Sequence, residues 1–388
     1  MNYIQILILA LIQGAAELLP ISSTAHVILA ARLMGYKDTS NPEFVFLLVM
    51  LHTGTMFAVL YYFWQRWRRW FSPKSEIGNR KSETNPKSEC PKPEPRKSGV
   101  LNFVLRICFG FRASDFEFQE QSVAPDSPRF TRFQFFKMIA LATACTGVLG
   151  LGLLFLIEKV VLIKMLGHEK GEVEDLFKSL PLMAAALVSV GVFIIIAGVV
   201  STRRARITKP EIRNPKSETN PKSESPKPEP VRSGVLNFVL RMCFGFRASD
   251  FEFQEITPRI SILIGLVQGL CLPFRGFSRS GATISTALLC GVDRMRAEDF
   301  SFALAVALTP PVIIRELYRL LRDADWTGNT HLVDLLLPGL LGMGCSFVAG
   351  LAALHILSAA LEKGRWKYFG YYCIAFSLIV LWAAWMGY

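Results

Sequence analysis

The sequence predicts an all-α polytopic membrane protein, with six transmembrane helices plus two re-entrant helical hairpins arranged as an inverted repeat. Three observations predict it. The chain is 51% hydrophobic and only 19% charged over 388 residues, with a mean hydropathy of +0.35, a composition outside the ordinary soluble range. Six apolar runs are long enough to cross a bilayer core, which takes about 20 residues. Two further apolar segments, the opening stretch and residues 260–291, are each broken into two short pieces around a polar centre.

The six runs lie near 43–63, 134–157, 181–200, 299–320, 333–361 and 368–386. A net charge of +12 could suggest nucleic acid, but the basic residues cluster beside apolar runs, in WQRWRRW (64–70), RRAR (203–206) and KGRWK (363–367). That is the positive-inside pattern, and no nucleic-acid partner is expected. With these clusters on the cytoplasmic side and the acidic segment 167–176 opposite, both termini fall on the outer side. The eight cysteines are scattered singly without a CxxC pair, so neither a disulfide framework nor a zinc site is read. The first apolar stretch lacks a basic leader and a small-residue cleavage site, and is expected to be retained.

Two polar tracts interrupt this pattern. Residues 74–120 recur nearly verbatim at 209–255, both copies carrying KSETNPKSE, a Pro/Lys/Glu-rich spacer and CFGFRASDFEFQE. Solenoid repeats diverge while keeping a buried face, whereas these copies open with low-complexity sequence that cannot form a core. They read as duplicated loop insertions; a paired docking surface built from the aromatic tails is the alternative. The chain then divides into 1–73 (first hairpin and first span), 74–120 (insertion), 121–208 (second and third spans), 209–255 (insertion) and 256–388 (second hairpin and three spans).

The pieces of each broken segment, about 15 residues long, are too short to cross, and such hairpins are tolerated at membrane depth only when buried in protein or lining a cavity. Pro20 breaks the first; Pro273, Gly276 and Gly281 break the second. LIQG (11–14) aligns with LVQG (266–269), and SST (22–24) is answered by SRS (278–280). One hairpin followed by three spans, an odd number, makes the second half inverted relative to the first. In such architectures substrate binds where the broken helices converge.

The chemistry-bearing residues sit at those breaks. A carboxylate within a hydrophobic segment costs roughly 2.5 to 3.5 kcal/mol, so Glu17 is a functional-site hypothesis by default. Gln13 lies four residues before it, on the same helical face. After Pro20, Ser22 or Ser23 is expected to cap a new helix, whose N-terminus is a ready anion site. Thr24 adds a hydroxyl, and His26 lies one turn in from Ser22, facing the same spot. The second hairpin supplies a fixed cation, Arg279, between Ser278 and Ser280 and near Gly276 and Gly281. Arginine grips phosphate oxygens as a planar fork, with hydroxyls and backbone N–H groups filling the remaining positions. Arg275 adds a second charge, and Thr283 follows one turn later. A carboxylate, hydroxyls, an imidazole and an arginine together suit phosphoryl chemistry.

The pair QGAAELLPISSTAH and RGFSRSGATIS resembles the two signature segments of the undecaprenyl-diphosphatase family, the bacitracin-resistance type of membrane phosphatase. Outside the insertions the resemblance covers essentially the whole chain. It implies hydrolysis of undecaprenyl diphosphate to the monophosphate and phosphate, recycling the lipid carrier of cell-wall synthesis in a bacterial plasma membrane, with a divalent-cation requirement. By position, the family's essential glutamate falls on Glu17, its serines on Ser22 and Ser23, its histidine on His26 and its arginine on Arg279. Two departures stand out: Gln13, where some members have a second glutamate, and Arg275, where proline is usual.

The resulting expectation has catalytic Glu17, Ser23, His26 and Arg279. Ser22, Thr24, Ser278, Ser280, Gly281, Thr283 and Arg275 bind substrate phosphate, and Glu17 and Gln13 hold Mg2+ or Ca2+. His26 activates Ser23 or a water for in-line attack, and residues alone do not choose between these nucleophiles. The expected partners are a polyprenyl diphosphate, the bilayer and a second copy of the chain. The bland reading of the serines is capping alone, that of Arg279 a structural ion pair with Glu17, and that of His52 an interhelical donor. The rival function is a lipid-phosphate or anion carrier, since inverted repeats and half-helix anion sites are transporter hardware.

Overall fold

The computed structural model describes residues 2–36, 42–71, 132–157, 179–208, 255–274, 276–323 and 330–387. Copy 1 of the insertion, all of copy 2 but its last residue, the acidic segment 167–176 and Arg275 lie outside the described residues. By its contacts the chain divides into Met1–Trp67 with Phe133–Tyr388, the unit treated below, and Arg68–Arg132, of which only the two ends fall among the described residues.

The described residues are all-helical. Ten helices follow in order: α1 (Tyr3–Leu18), α2 (Ser23–Leu33), α3 (Pro42–Phe71), α4 (Arg132–Leu156), α5 (Leu180–Thr208), α6 (Pro258–Cys271), α7 (Arg279–Leu289), α8 (Arg294–Asp323), α9 (Thr330–Glu362) and α10 (Lys367–Trp385). Six carry windows long and apolar enough to cross a membrane: Phe44–Trp67, Phe133–Leu156, Leu180–Ala205, Arg294–Arg315, Leu336–Glu362 and Lys367–Trp385. These coincide with the six runs expected from sequence. Large apolar side chains such as Val148, Leu151, Leu378 and Trp385 are more than half exposed, as suits an apolar surround rather than water.

The two broken segments form short helix pairs. Helix α1, at 16 residues, and α6, at 14, reach roughly 24 and 21 Å at 1.5 Å per residue, short of a bilayer core of about 30 Å. Each has a sequence-coded start. The Asn2 backbone N–H donates to Gln5 Oε1 at 2.9 Å. Thr257 Oγ1 accepts from Ile260 N, and Pro258 occupies the first turn, where its missing donor costs nothing. Each also has a sequence-coded stop. Helix α1 ends at Leu18, two residues before Pro20, and α6 ends before Pro273 and Gly276, the latter at φ +102°, which glycine adopts without strain.

Small residues decide what packs where. Gly14 of α1 lies directly against Ser346 and Ala349 of α9, and Gly265 of α6 against the backbone of Ala142 in α4. Thr146 Oγ1 seals the second contact by donating to Gly265 O at 2.9 Å. Gly191 of α5 and Gly370 of α10 each abut the other's carbonyl. Without water to drive helices together, such close backbone approach and interhelical hydrogen bonds are what hold membrane helices. The first helix of each short pair thus rests on the middle span of the other half. The outcome is one bundle in which α2 and α7 begin beside the same cavity.

Candidate active site

The site assembles at the two helix breaks. Helix α1 carries Gln13 and Glu17 on one face; the chain then turns through Leu19, Pro20 and Ile21 and restarts at Ser23. Ser22 makes the turn at φ +68°, the left-handed region that non-glycine residues seldom enter. It stands at the N-cap position of α2, yet its hydroxyl makes no capping bond, so the serine cap expected from Ser22 or Ser23 is not made at that position. At the second break Ser278 caps α7, its Oγ accepting from Gly281 N at 3.2 Å. Arg279 is therefore the first helical residue of α7.

Four side chains converge on Glu17. Arg279 Nη2 donates to Glu17 Oε1 at 2.6 Å across 262 sequence positions. Ser23 Oγ donates to Glu17 Oε2, and Gln13 Nε2 donates to the same oxygen at 3.1 Å. His52 of α3 places Nε2 3.7 Å from Glu17 Oε2. Glu17, Ser23, Arg279 and His52 line an open cavity together with Ser22, Thr24, Ser278, Ser280 and Thr283, while Gln13 supports Glu17 from outside that lining. Glu17 is sunk to 15% side-chain exposure, whereas Arg279 keeps 36%, so the guanidinium faces the cavity while one nitrogen holds the carboxylate. First-turn residues of both α2 and α7 line this one cavity, and the positive ends of two helices make it suited to an anion.

Of the expected residues, Glu17, Ser22, Ser23, Thr24, Ser278, Arg279, Ser280 and Thr283 line the cavity; Gln13 reaches it only through Glu17, Gly281 gives its N–H to Ser278, and His26 is displaced. His26 does not line the cavity. Its Nδ1–H donates to Ser22 O at 2.8 Å, its Nε2 accepts from Tyr372 at 2.9 Å, and its ring stacks on Phe376 at 3.7 Å between centroids. The spacing to Ser22 was legible, but the ring turns to α10, where two parallel aromatic rings receive it. The imidazole beside Glu17 is His52, read from sequence as an interhelical donor. Its signal was the helical spacing of His52, Thr55, Met56 and Val59, all of which line the cavity. Gln268, the counterpart of Gln13, also lines it.

The donor set does not form a seat for a resident metal ion. Among the described residues no three His, Cys, Asp or Glu side chains are grouped to hold one. Glu17 has both oxygens engaged by Arg279, Ser23 and Gln13, and Gln13 turns its amide nitrogen, a donor, toward the carboxylate.

The family model described as bacitracin resistance protein BacA matches residues 6–379, nearly the whole chain. The chain belongs to this family. It is 41% identical, over 98% of both chains, to a protein of Acinetobacter baylyi named undecaprenyl-diphosphatase 2. It is 27% identical, again over 98% of both, to an undecaprenyl-diphosphatase of Desulfosudis oleivorans. A relative of Korarchaeum cryptofilum, also named undecaprenyl-diphosphatase, is 36% identical over 33% of this chain and 45% of its own.

Proposed function

We propose that this BacA-family chain is an integral membrane phosphatase that hydrolyses undecaprenyl diphosphate to undecaprenyl phosphate and phosphate. The observation that carries the reading is the meeting of Glu17, Ser23 and Arg279 from two distant helix breaks in one open cavity. The names of relatives matched along the full chain support the same substrate. Phosphoryl transfer needs mainly positioning and charge neutralisation. Arg279 and the first turns of α2 and α7 take the phosphate oxygens. Ser23 Oγ attacks the terminal phosphorus in line, its proton passes to Glu17 Oε2, and the anhydride bond breaks to release the lipid monophosphate. Water then cleaves the serine phosphate, with Glu17 returning the proton to Ser23. Because Ser23 already donates to Glu17, serine is favoured over water as first nucleophile and Glu17 over His26 as proton acceptor. A Mg2+ or Ca2+ ion would arrive as counter-ion of the diphosphate.

The finer architecture belongs to the same proposal. Helices too short to cross, broken at Pro20 and at Gly276, support re-entrant hairpins; the exchange of packing partners between halves supports an inverted repeat. Basic clusters at 64–70, 203–206 and 363–367 support termini on the outer side. A homodimer is supported by the exposed face of α4, where Gly147 and Gly152 have open space beside them.

The test is phosphate release from undecaprenyl diphosphate by detergent-purified protein. Arg279→Ala and Glu17→Ala are each expected to lose about 100 to 1,000-fold in rate, the effect of removing one preorganised group. A carrier needs neither nucleophile nor proton acceptor. Wild-type protein that moved the lipid between liposome leaflets but released no phosphate would overturn the phosphatase reading.

A further inference from the structure

We propose that His52 is a positioning residue of this site, acting through Gln13 to hold Glu17 against Ser23. The inference rests on the phosphatase reading above and concerns residues that reading leaves without a task.

The hydrogen-bond chain fixes its own polarity. His52 Nδ1 lies 2.7 Å from Leu48 O; a carbonyl only accepts, so Nδ1 carries the hydrogen. In the neutral ring Nε2 then presents a lone pair. Facing it at 3.2 Å is the amide nitrogen of Gln13, and 3.1 Å from that nitrogen is Glu17 Oε2. The two N–H bonds of one amide are therefore divided between an imidazole and a carboxylate, both acceptors. Flipping the amide would set its oxygen against both of them, so the donor logic alone assigns the orientation.

Gln13 has nowhere else to turn: it is 1% exposed. Without His52 the second N–H of this buried amide would have no acceptor on its far side, and the Gln13 side chain would lose the contact that anchors it while it donates to Glu17. With His52 present, Glu17 Oε2 receives two donors, Gln13 and Ser23, and the Ser23 hydroxyl keeps its hydrogen directed at the group that is to accept it. The anchor is the backbone of α3, which reaches the reacting atoms through His52, Gln13 and Glu17 in turn. A glutamate at position 13 would place a like charge beside Glu17; the amide achieves the contact without that repulsion.

The test is steady-state phosphate release from undecaprenyl diphosphate by detergent-purified wild type, His52→Leu, His52→Gln and Gln13→Met. His52→Leu is expected to lower kcat by about 10 to 100-fold, the scale of an ångström-sized misplacement, with KM unchanged because Arg279 and the helix N-termini still bind phosphate. His52→Gln, which can offer its side-chain oxygen to the Gln13 amide, is expected to recover most of that loss. Gln13→Met, which breaks the chain from the other side while conserving bulk, should match His52→Leu; if His52→Leu fails to fold, Gln13→Met against wild type decides. Wild-type kcat in His52→Leu or in Gln13→Met, or equal impairment in His52→Leu and His52→Gln, overturns the proposal. An inactive wild type would instead strike the phosphatase reading itself.

Discussion

Glu17 and Arg279 meet at 2.6 Å beside an open cavity, whereas Arg66 meets Glu298 and Asp299 behind a wall of aromatic rings. In the second cluster the Arg66 guanidinium lies over the Phe63 ring at 5.2 Å, and Phe63 stacks on Trp67 and Phe302. Ser358 donates to Glu298 and accepts from Tyr62, tying α3, α8 and α9 together. Both clusters join an arginine to carboxylate across distant helices, so charge type does not separate them. Access and neighbours do. Glu298 is wholly buried and its partners are spent on one another. The Glu17 cluster keeps Arg279 partly exposed and adds serine and threonine hydroxyls at two helix starts. Buried charge can act as a fastener or as a reagent, and only the second leaves a place for substrate.

That contrast can be broken experimentally, beginning with the fastener. Arg66→Ala leaves two adjacent buried carboxylates without their cation and should cost about 3 to 5 kcal/mol of stability, read as loss of folded protein or a large drop in thermal midpoint in detergent. Glu17→Gln should instead reduce phosphate release by about 100-fold or more while the thermal midpoint moves little, because the cavity lets water solvate Arg279. If Glu17→Gln unfolded the protein and Arg66→Ala abolished activity in a stable one, the two roles would have to be exchanged. The smallest effect is expected from Tyr62→Phe, which removes one donor to Ser358: about 1 kcal/mol of stability, with phosphate release per folded molecule unchanged.

The spans were legible because twenty apolar residues bounded by basic clusters have few other readings, and the observed helices fall on them. The breaks were legible for an equally local reason, since Pro20, Pro273 and Gly276 act on their own backbone. Glu17, Ser23 and Arg279 could be placed at one site because polar groups inside apolar segments need partners. His52 escaped because its partner Gln13 is 39 positions away, and its helical spacing with Thr55, Met56 and Val59 defines a face without telling what that face meets. His26 was misdirected by true local geometry: it does bond to Ser22, one turn back, but tertiary stacking on Phe376 chose where the ring points. The unused cap at Ser22 was likewise invisible, as a positive φ in a serine is imposed by the turn rather than coded by the residue.

The 262 positions between Glu17 and Arg279 also set an order of events during synthesis. A ribosome adding about 5 to 20 residues per second delivers the carboxylate on the order of 10 to 50 s before its cation exists. Through that interval Glu17 has the early neighbours, Gln13 four residues before it, Ser23 six residues after it and His52 once α3 is made. Gln13 and Ser23 are donors within the first pair of helices, so the acid is chaperoned by its own helix pair until the second one arrives. Hydrolysis cannot begin on a nascent chain; the last half to enter the membrane is the one that arms the first.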